Sequence, residues 1–281
     1  MLAILGGIGA AFSFGASTLC SARSTKLIGS PSVVAWMMLV GLLALLPALA
    51  VAGVPAALDG ATGVWLVVSG LCNVGGLLII YLALQVEKVG IVAPISSTEG
   101  AIAALIAVAA GEAIARRVGF ALAVIVVGVV LSGIVRSDRG EHAHGRRGVL
   151  LALLAAACFG LGLYSTARVG TDLPLVWAVL PARLAGVVLV AFPLAVTSRL
   201  QLTRRALPLV VASGLAEVIG FGSFAFGARH GIAVSAVLAS QFAAVAAVGG
   251  YLLFGERLTR VQVIGVALIL GGVAMLTALT A

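Results

Sequence analysis

The chain has 281 residues, 62% of them apolar and 9% charged, with a mean hydropathy of +1.26. So few charges cannot coat a soluble domain, and the composition makes lipid the solvent of this chain. The net charge of +8 does not indicate nucleic acid, because the 17 Lys and Arg fall almost entirely in short connections between apolar runs, with no basic face interleaved with aromatics.

At about 20 residues per membrane crossing, the sequence divides into ten spans: 2–20, 33–54, 63–84, 89–110, 118–136, 148–167, 175–196, 207–229, 231–253 and 261–279. The first follows Met1 without a basic leader, so it is expected to belong to the fold rather than to a cleaved signal. Cys20, Cys72 and Cys158 lie far apart inside spans and read as packing residues. The longest polar stretch, RSDRGEHAHGRRG at 136–148, falls between the fifth and sixth spans. Its His142 and His144 read as solvated linker residues, since two histidines alone are a weak metal signal. Neither a Walker motif nor a G-x-S-x-G elbow is present, so neither ATP hydrolysis nor a serine nucleophile is expected, and no metal or cofactor.

A constant shift of 144 lays the second half on the first. It pairs Ser69-Gly70-Leu71 with Ser213-Gly214-Leu215, Gly76 with Gly220, Gly111-Glu112 with Gly255-Glu256, and Arg116 with Arg260. We read two five-span units, 1–136 and 148–281, joined by a polar linker at 137–147. An odd number of spans per unit inverts one unit relative to the other, the plan of many secondary transporters, whose substrates bind near the midplane between the repeats. Twelve of the 17 Lys and Arg lie in connections after spans one, three, five, seven and nine, and four on the opposite side. The positive-inside rule then places the linker in the cytoplasm and both termini outside.

Polar groups inside spans carry the functional signal. Glu99, in IVAPISSTEGAIAAL, lies about ten residues from either end of span four, and at 1.5 Å per residue it is too deep to snorkel. A carboxylate there costs at least about 2.5–3.5 kcal/mol and is expected to face the bundle interior or a wet cavity. Two readings stand: a protonated or Arg-paired carboxyl that fixes helix packing, or a substrate or proton site. Pro94, Ser96, Ser97, Thr98 and Gly100 around it make a polar wall and favour the second.

Glu217 lies mid-span in span eight and is paired by the repeat with Asn73 of span three. Both read either as interhelical hydrogen-bonding groups or as site residues. Arg183, about 12 Å along span seven, cannot lose its charge and requires an anion: Glu99, Glu217 or a substrate carboxylate. One Arg balances only one of the two carboxyls, so the other is expected to take up a proton or a cation. Gln241 and Ser240 of span nine are further candidates, as are Tyr164, Ser165 and Thr166 of span six, although Tyr164 also reads as an interfacial anchor. Gly111, Glu112, Gly255 and Glu256 read as a structural motif, with Arg116, Arg257 and Arg260 near enough in sequence to pin a short loop by ion pairs.

Five-plus-five spans, GEAIARR after span four and GERLTRVQVIGVALILGGV after span nine resemble the EamA-type transporters of the drug/metabolite transporter superfamily. ASQFAAVAAVGGYLLFGE is similar to the family's second repeat, although Ala243 stands where a proline is common, and Glu99 holds the equivalent place in the first repeat. The resemblance covers essentially the whole chain. It implies termini in the cytoplasm, opposite to the charge count, and a small polar or amphipathic metabolite as cargo.

The expected protein is therefore an all-α, multi-pass protein of the cell membrane, with about ten transmembrane helices in two inverted five-helix repeats. It is expected to export or exchange a small molecule, proton-coupled and without ATP, through a central site of spans three, four, seven, eight and nine. Arg183 leans the cargo toward a carboxylate, as in an amino acid. The competing readings are an intramembrane enzyme or flippase acting on a lipid-borne substrate through Glu99 and Glu217, and a membrane subunit that carries no cargo.

Overall fold

The computed structural model describes residues 1–86, 92, 95–133, 146–254 and 259–280. Gly255, Glu256, Arg257, Pro94 and the linker up to residue 145 lie outside the described residues. Those described form α1 (Leu2–Ile28), α2 (Ser30–Ala52), α3 (Gly60–Val86), α4 (Glu99–Ala109), α5 (Arg116–Gly133), α6 (Arg146–Asp172), α7 (Leu175–Gly186), a π-helical segment (Val187–Ala191), α8 (Phe192–Val196), α9 (Leu207–Ala228), α10 (Ile232–Ala239), α11 (Phe242–Phe254) and α12 (Arg260–Thr280). Seven stretches among them are helical, long and apolar enough to cross a membrane.

Large apolar side chains cover the outer face, among them Leu43, Leu105, Phe192, Leu252 and Leu270, each more than 60% exposed. In water such a surface would aggregate; in a bilayer it is solvated by acyl chains. The interior is filled largely by Ala, Gly and Ser, which let helices approach until backbones touch. Added carbon at Gly6 would meet the backbone of Gly227, and at Gly128 the carbonyl of Gly265 at 2.8 Å. These glycines set the α1–α9 and α5–α12 crossings.

The packing is preserved when the two halves are exchanged. α1 lies on α9 as α6 lies on α3; α2 lies on α9 as α7 lies on α3; α1 meets α10 as α6 meets α4. α5 with α12, α4 with α10 and α2 with α7 pair across the halves.

The structure departs from the expected continuous spans at two places. Span four is interrupted by a turn at Ser97–Thr98 and span nine by one at Ser240–Gln241, turns that overlap, offset by one residue, under the shift of 144. Hydroxyls mark both. Ser96 donates to the Val92 carbonyl at 2.6 Å, Thr98 to Ile95 at 2.7 Å and Ser240 to Val237 at 2.9 Å, side-chain bonds to carbonyls of the preceding turn. The backbone tightens at each break, where the Thr98 and Gln241 amides donate to carbonyls three residues back.

Candidate functional site

The two breaks touch. Gly100, at the start of α4, packs against the Ala236 carbonyl and the Ser240 side chain, where any β-carbon would collide. Gly160 of α6 packs against Ile102 and the carbonyl of Glu99 from the other side. Glu99 is thus not ten residues inside one helix: it is the first residue of an 11-residue half-helix. Unpaired N–H groups and the positive end of the helix dipole favour a carboxylate there, which eases a burial that a continuous helix would not. Glu99 is half-buried, makes no hydrogen bond or ion pair among the described residues, and lies within electrostatic reach of Glu217. Gln241, at the other break, is buried and its Nε2 has no partner among the described residues.

Arg183 finds its anion in Glu217. Nη2 lies 3.0 Å from Glu217 Oε2, with Arg183 wholly buried and Glu217 20% exposed. The guanidinium also lies 5.2 Å from the centre of the Phe221 ring and donates through Nη1 to Met38 Sδ at 3.5 Å. Gly41 of α2 makes room for it, since a β-carbon there would stand 2.8 Å from Arg183 Cδ. Arg183 Nε is left without a partner among the described residues. The π-helical segment begins within one turn of Arg183, and Gly186 in the same turn admits Met38.

Hydroxyls extend this pair into α1. Ser17 donates to Glu217 Oε1 at 3.4 Å and lies 2.8 Å from Ser213, which lies 2.7 Å from Ser21. The expected set lacked Ser17, Ser21 and the α2 residues Met38 and Gly41. Serines four residues apart near mid-span in SFGASTLCSARS were the available signal, since they share one helix face.

Asn73 is elsewhere. Its Nδ2 donates to the Ser69 carbonyl of its own helix at 2.7 Å, and Gly162 of α6 packs against its amide. Ser69 in turn lies 2.7 Å from Thr166. This α3–α6 layer is the counterpart of Ser213 with Ser17 and Ser21, without a charge. Ser96 and Ser97 are buried at the span-four break.

Glu112 does not pair with Arg116 as expected. Its two oxygens accept the Ala233 N–H at 3.3 and 3.2 Å, capping the start of α10. Gly111 makes this possible: at φ 102° it ends α4, with the Glu112 amide donating to Ala107 and the Gly111 amide to Val108. The motif thus ties the outer half of span four to that of span nine.

No curated protein matches the chain. A solved crystal structure, described only as that of a protein, superposes on 99% of this chain and 96% of its own at TM-score 0.82 and 19% identity, a likeness that shows the fold. The model of the EamA-like transporter family matches residues 1–134 and again 146–278. With both matches together spanning nearly all of it, the chain belongs to the EamA-like transporter family, membrane transporters of the drug/metabolite superfamily.

Proposed function

We propose that this transporter is a ten-span carrier of the cell membrane, built as inverted five-helix units over 1–136 and 148–281 with 137–147 as linker. The exchange of partners between the halves supports that plan. Its cargo is a small polar or amphipathic metabolite bearing a carboxylate, amino-acid-like, moved by export or exchange with proton coupling.

The observation that carries this reading is the meeting of two helix breaks beside Glu99, which pairs with none of the described residues. Broken helices at mid-depth offer unsatisfied backbone groups to a solute without exposing them to lipid. Ser96, Ser97, Thr98 and Gln241 line the breaks. Arg183 is neutralised by Glu217, which leaves Glu99 as the group that takes a proton from solution and returns it. A cargo carboxylate competes with Glu217 for Arg183, so cargo and proton occupancy are linked at one site. Asn73 belongs to the same depth and holds the α3–α6 wall.

Counterflow in proteoliposomes with a mixed metabolite panel at two pH values tests this. One solute class exchanges, with a pH dependence that Glu99→Gln abolishes. If no solute exchanges, the carrier reading is wrong. If Glu99→Gln and Glu217→Gln both keep the wild-type pH dependence, the proton role is wrong.

A further inference from the structure

A second polar space lies outside the Arg183–Glu217 level. A cavity of about 410 Å³ opens at the end of the bundle that carries the N-terminus, walled by the α4 end, α6 and the turn into α10. Its polar lining includes Glu112, Tyr164, Arg168 and His230, and four alanines with Ile232 make the apolar part.

Three of its polar groups have capacity unspent. The exposed Arg168 guanidinium makes no hydrogen bond or ion pair among the described residues, although Glu112 lines the same space. Glu112 spends both oxygens on one N–H and keeps lone pairs free. Tyr164 is 6% exposed, its ring held edge-on by Trp65 at 5.6 Å, and its hydroxyl has no partner among the described residues. His230 is anchored on Phe226, with Nδ1 3.3 Å from the Phe226 carbonyl, and borders the same space.

The cavity is also in line with the helix breaks. Gly160, Tyr164 and Arg168 follow at intervals of four along one face of α6, and Gly160 is the residue packed on Glu99. Arg168 is thus about 12 Å above the Glu99 level at 1.5 Å per residue, with Tyr164 between.

We propose that this cavity is a separate solute site, a vestibule that takes a small zwitterion with an aliphatic body. The carboxylate of the solute meets Arg168 and the Tyr164 hydroxyl, and its ammonium meets Glu112. The alanines and Ile232 receive the body, and Tyr164 forms the floor toward Glu99. The vestibule serves the carrier proposed above, but its occupancy is measurable without transport.

The test uses Ala113→Cys, an exposed lining position, in a full-length chain with Cys20, Cys72 and Cys158 replaced, labelled by a membrane-impermeant maleimide in proteoliposomes. L-Leucine slows labelling, whereas 4-methylpentanoate and 3-methylbutylamine, each lacking one charge, slow it less. Arg168→Gln raises the half-protecting leucine concentration about tenfold, the scale of one charge-assisted hydrogen bond, and Arg168→Lys restores part of it. Equal protection in wild type and Arg168→Gln overturns the proposal, as does no protection by leucine. Faster labelling of Arg168→Gln without any leucine effect makes the cavity a charge latch instead. Glu99→Gln retains leucine protection while its exchange loses pH dependence, so failure of the carrier reading leaves this site standing, and the reverse.

Discussion

Arg183 Nη2 lies 3.0 Å from Glu217 Oε2 where the arginine has no exposure at all, so each charge is tolerated only because of the other. Removing one partner of such a pair costs about 3–5 kcal/mol, while replacing both with apolar groups is close to neutral. Glu217→Ala is therefore expected to lower the unfolding temperature of the purified protein sharply, and Arg183→Leu with Glu217→Leu to restore it. If the pair is also the cargo site, the stable double variant gives no counterflow. A double variant that still exchanges solute would reduce the pair to a packing device.

Glu99→Gln separates stability from coupling. The side chain keeps its size at the start of α4 and loses only its ability to ionise, so thermal unfolding changes little. The pH dependence of exchange disappears.

Crossing of the two broken helices depends on Gly100. A β-carbon there would stand 2.5 Å from Ser240 Oγ and strike the Ala236 carbonyl, which is backbone and cannot rotate away. Gly100→Ala is expected to destabilise by about 1–3 kcal/mol, the usual cost of overpacking. Exchange should suffer more than folding, because the strain falls on the breaks themselves. Measured unfolding equal to wild type would show that the crossing has slack.

Glu112 caps α10 from the connection after α4, so Glu112→Ala is expected to cost about 0.5–2 kcal/mol, as loss of an N-cap does. Glu112→Gln keeps an acceptor and most of that stability. Hydrogen exchange of the α10 amides distinguishes the two, with protection lost in the alanine variant alone.

Asp59 caps α3 at its own end, accepting the Thr62 N–H at 2.7 Å, and that hydrogen bond holds its carboxyl below the ordinary carboxylate range. A depressed folded value means that the stabilisation is complete above the unfolded value and is lost as pH falls through the folded one. The difference in unfolding temperature between wild type and Asp59→Ala is expected at neutral pH and to vanish in strong acid.

Seven of the expected span positions were legible because apolar length reports bilayer thickness directly, and Leu175–Val196 matches the expected limits residue for residue. The breaks were not legible as breaks. Ser96, Ser97 and Thr98 announced polarity, yet apolar counting sees only composition and passes over a turn of two residues. The partner of Arg183 stayed open for a related reason: Glu99 and Glu217 were equally deep in the sequence, and the choice between them is made by which helices α7 touches. Ser17 and Ser21 join through α1, which the repeat pairing had left out because it matched only spans three and four with eight and nine. Glu112 took a backbone amide rather than Arg116, since the turn at Gly111 aims it across the bundle instead of along the loop.

Arg183 with Glu217 carries no net charge, so membrane voltage exerts no net force on that pair. Among the described mid-span residues Glu99 is then the sole handle for an electric field, at most about 2.3 kcal/mol per 100 mV if the charge crosses the whole membrane. An empty carrier that resets with Glu99 protonated is blind to voltage, and one that resets with it ionised is electrogenic. If Glu99 is the proton site proposed above, the voltage dependence of the empty carrier's return rests on a single carboxyl.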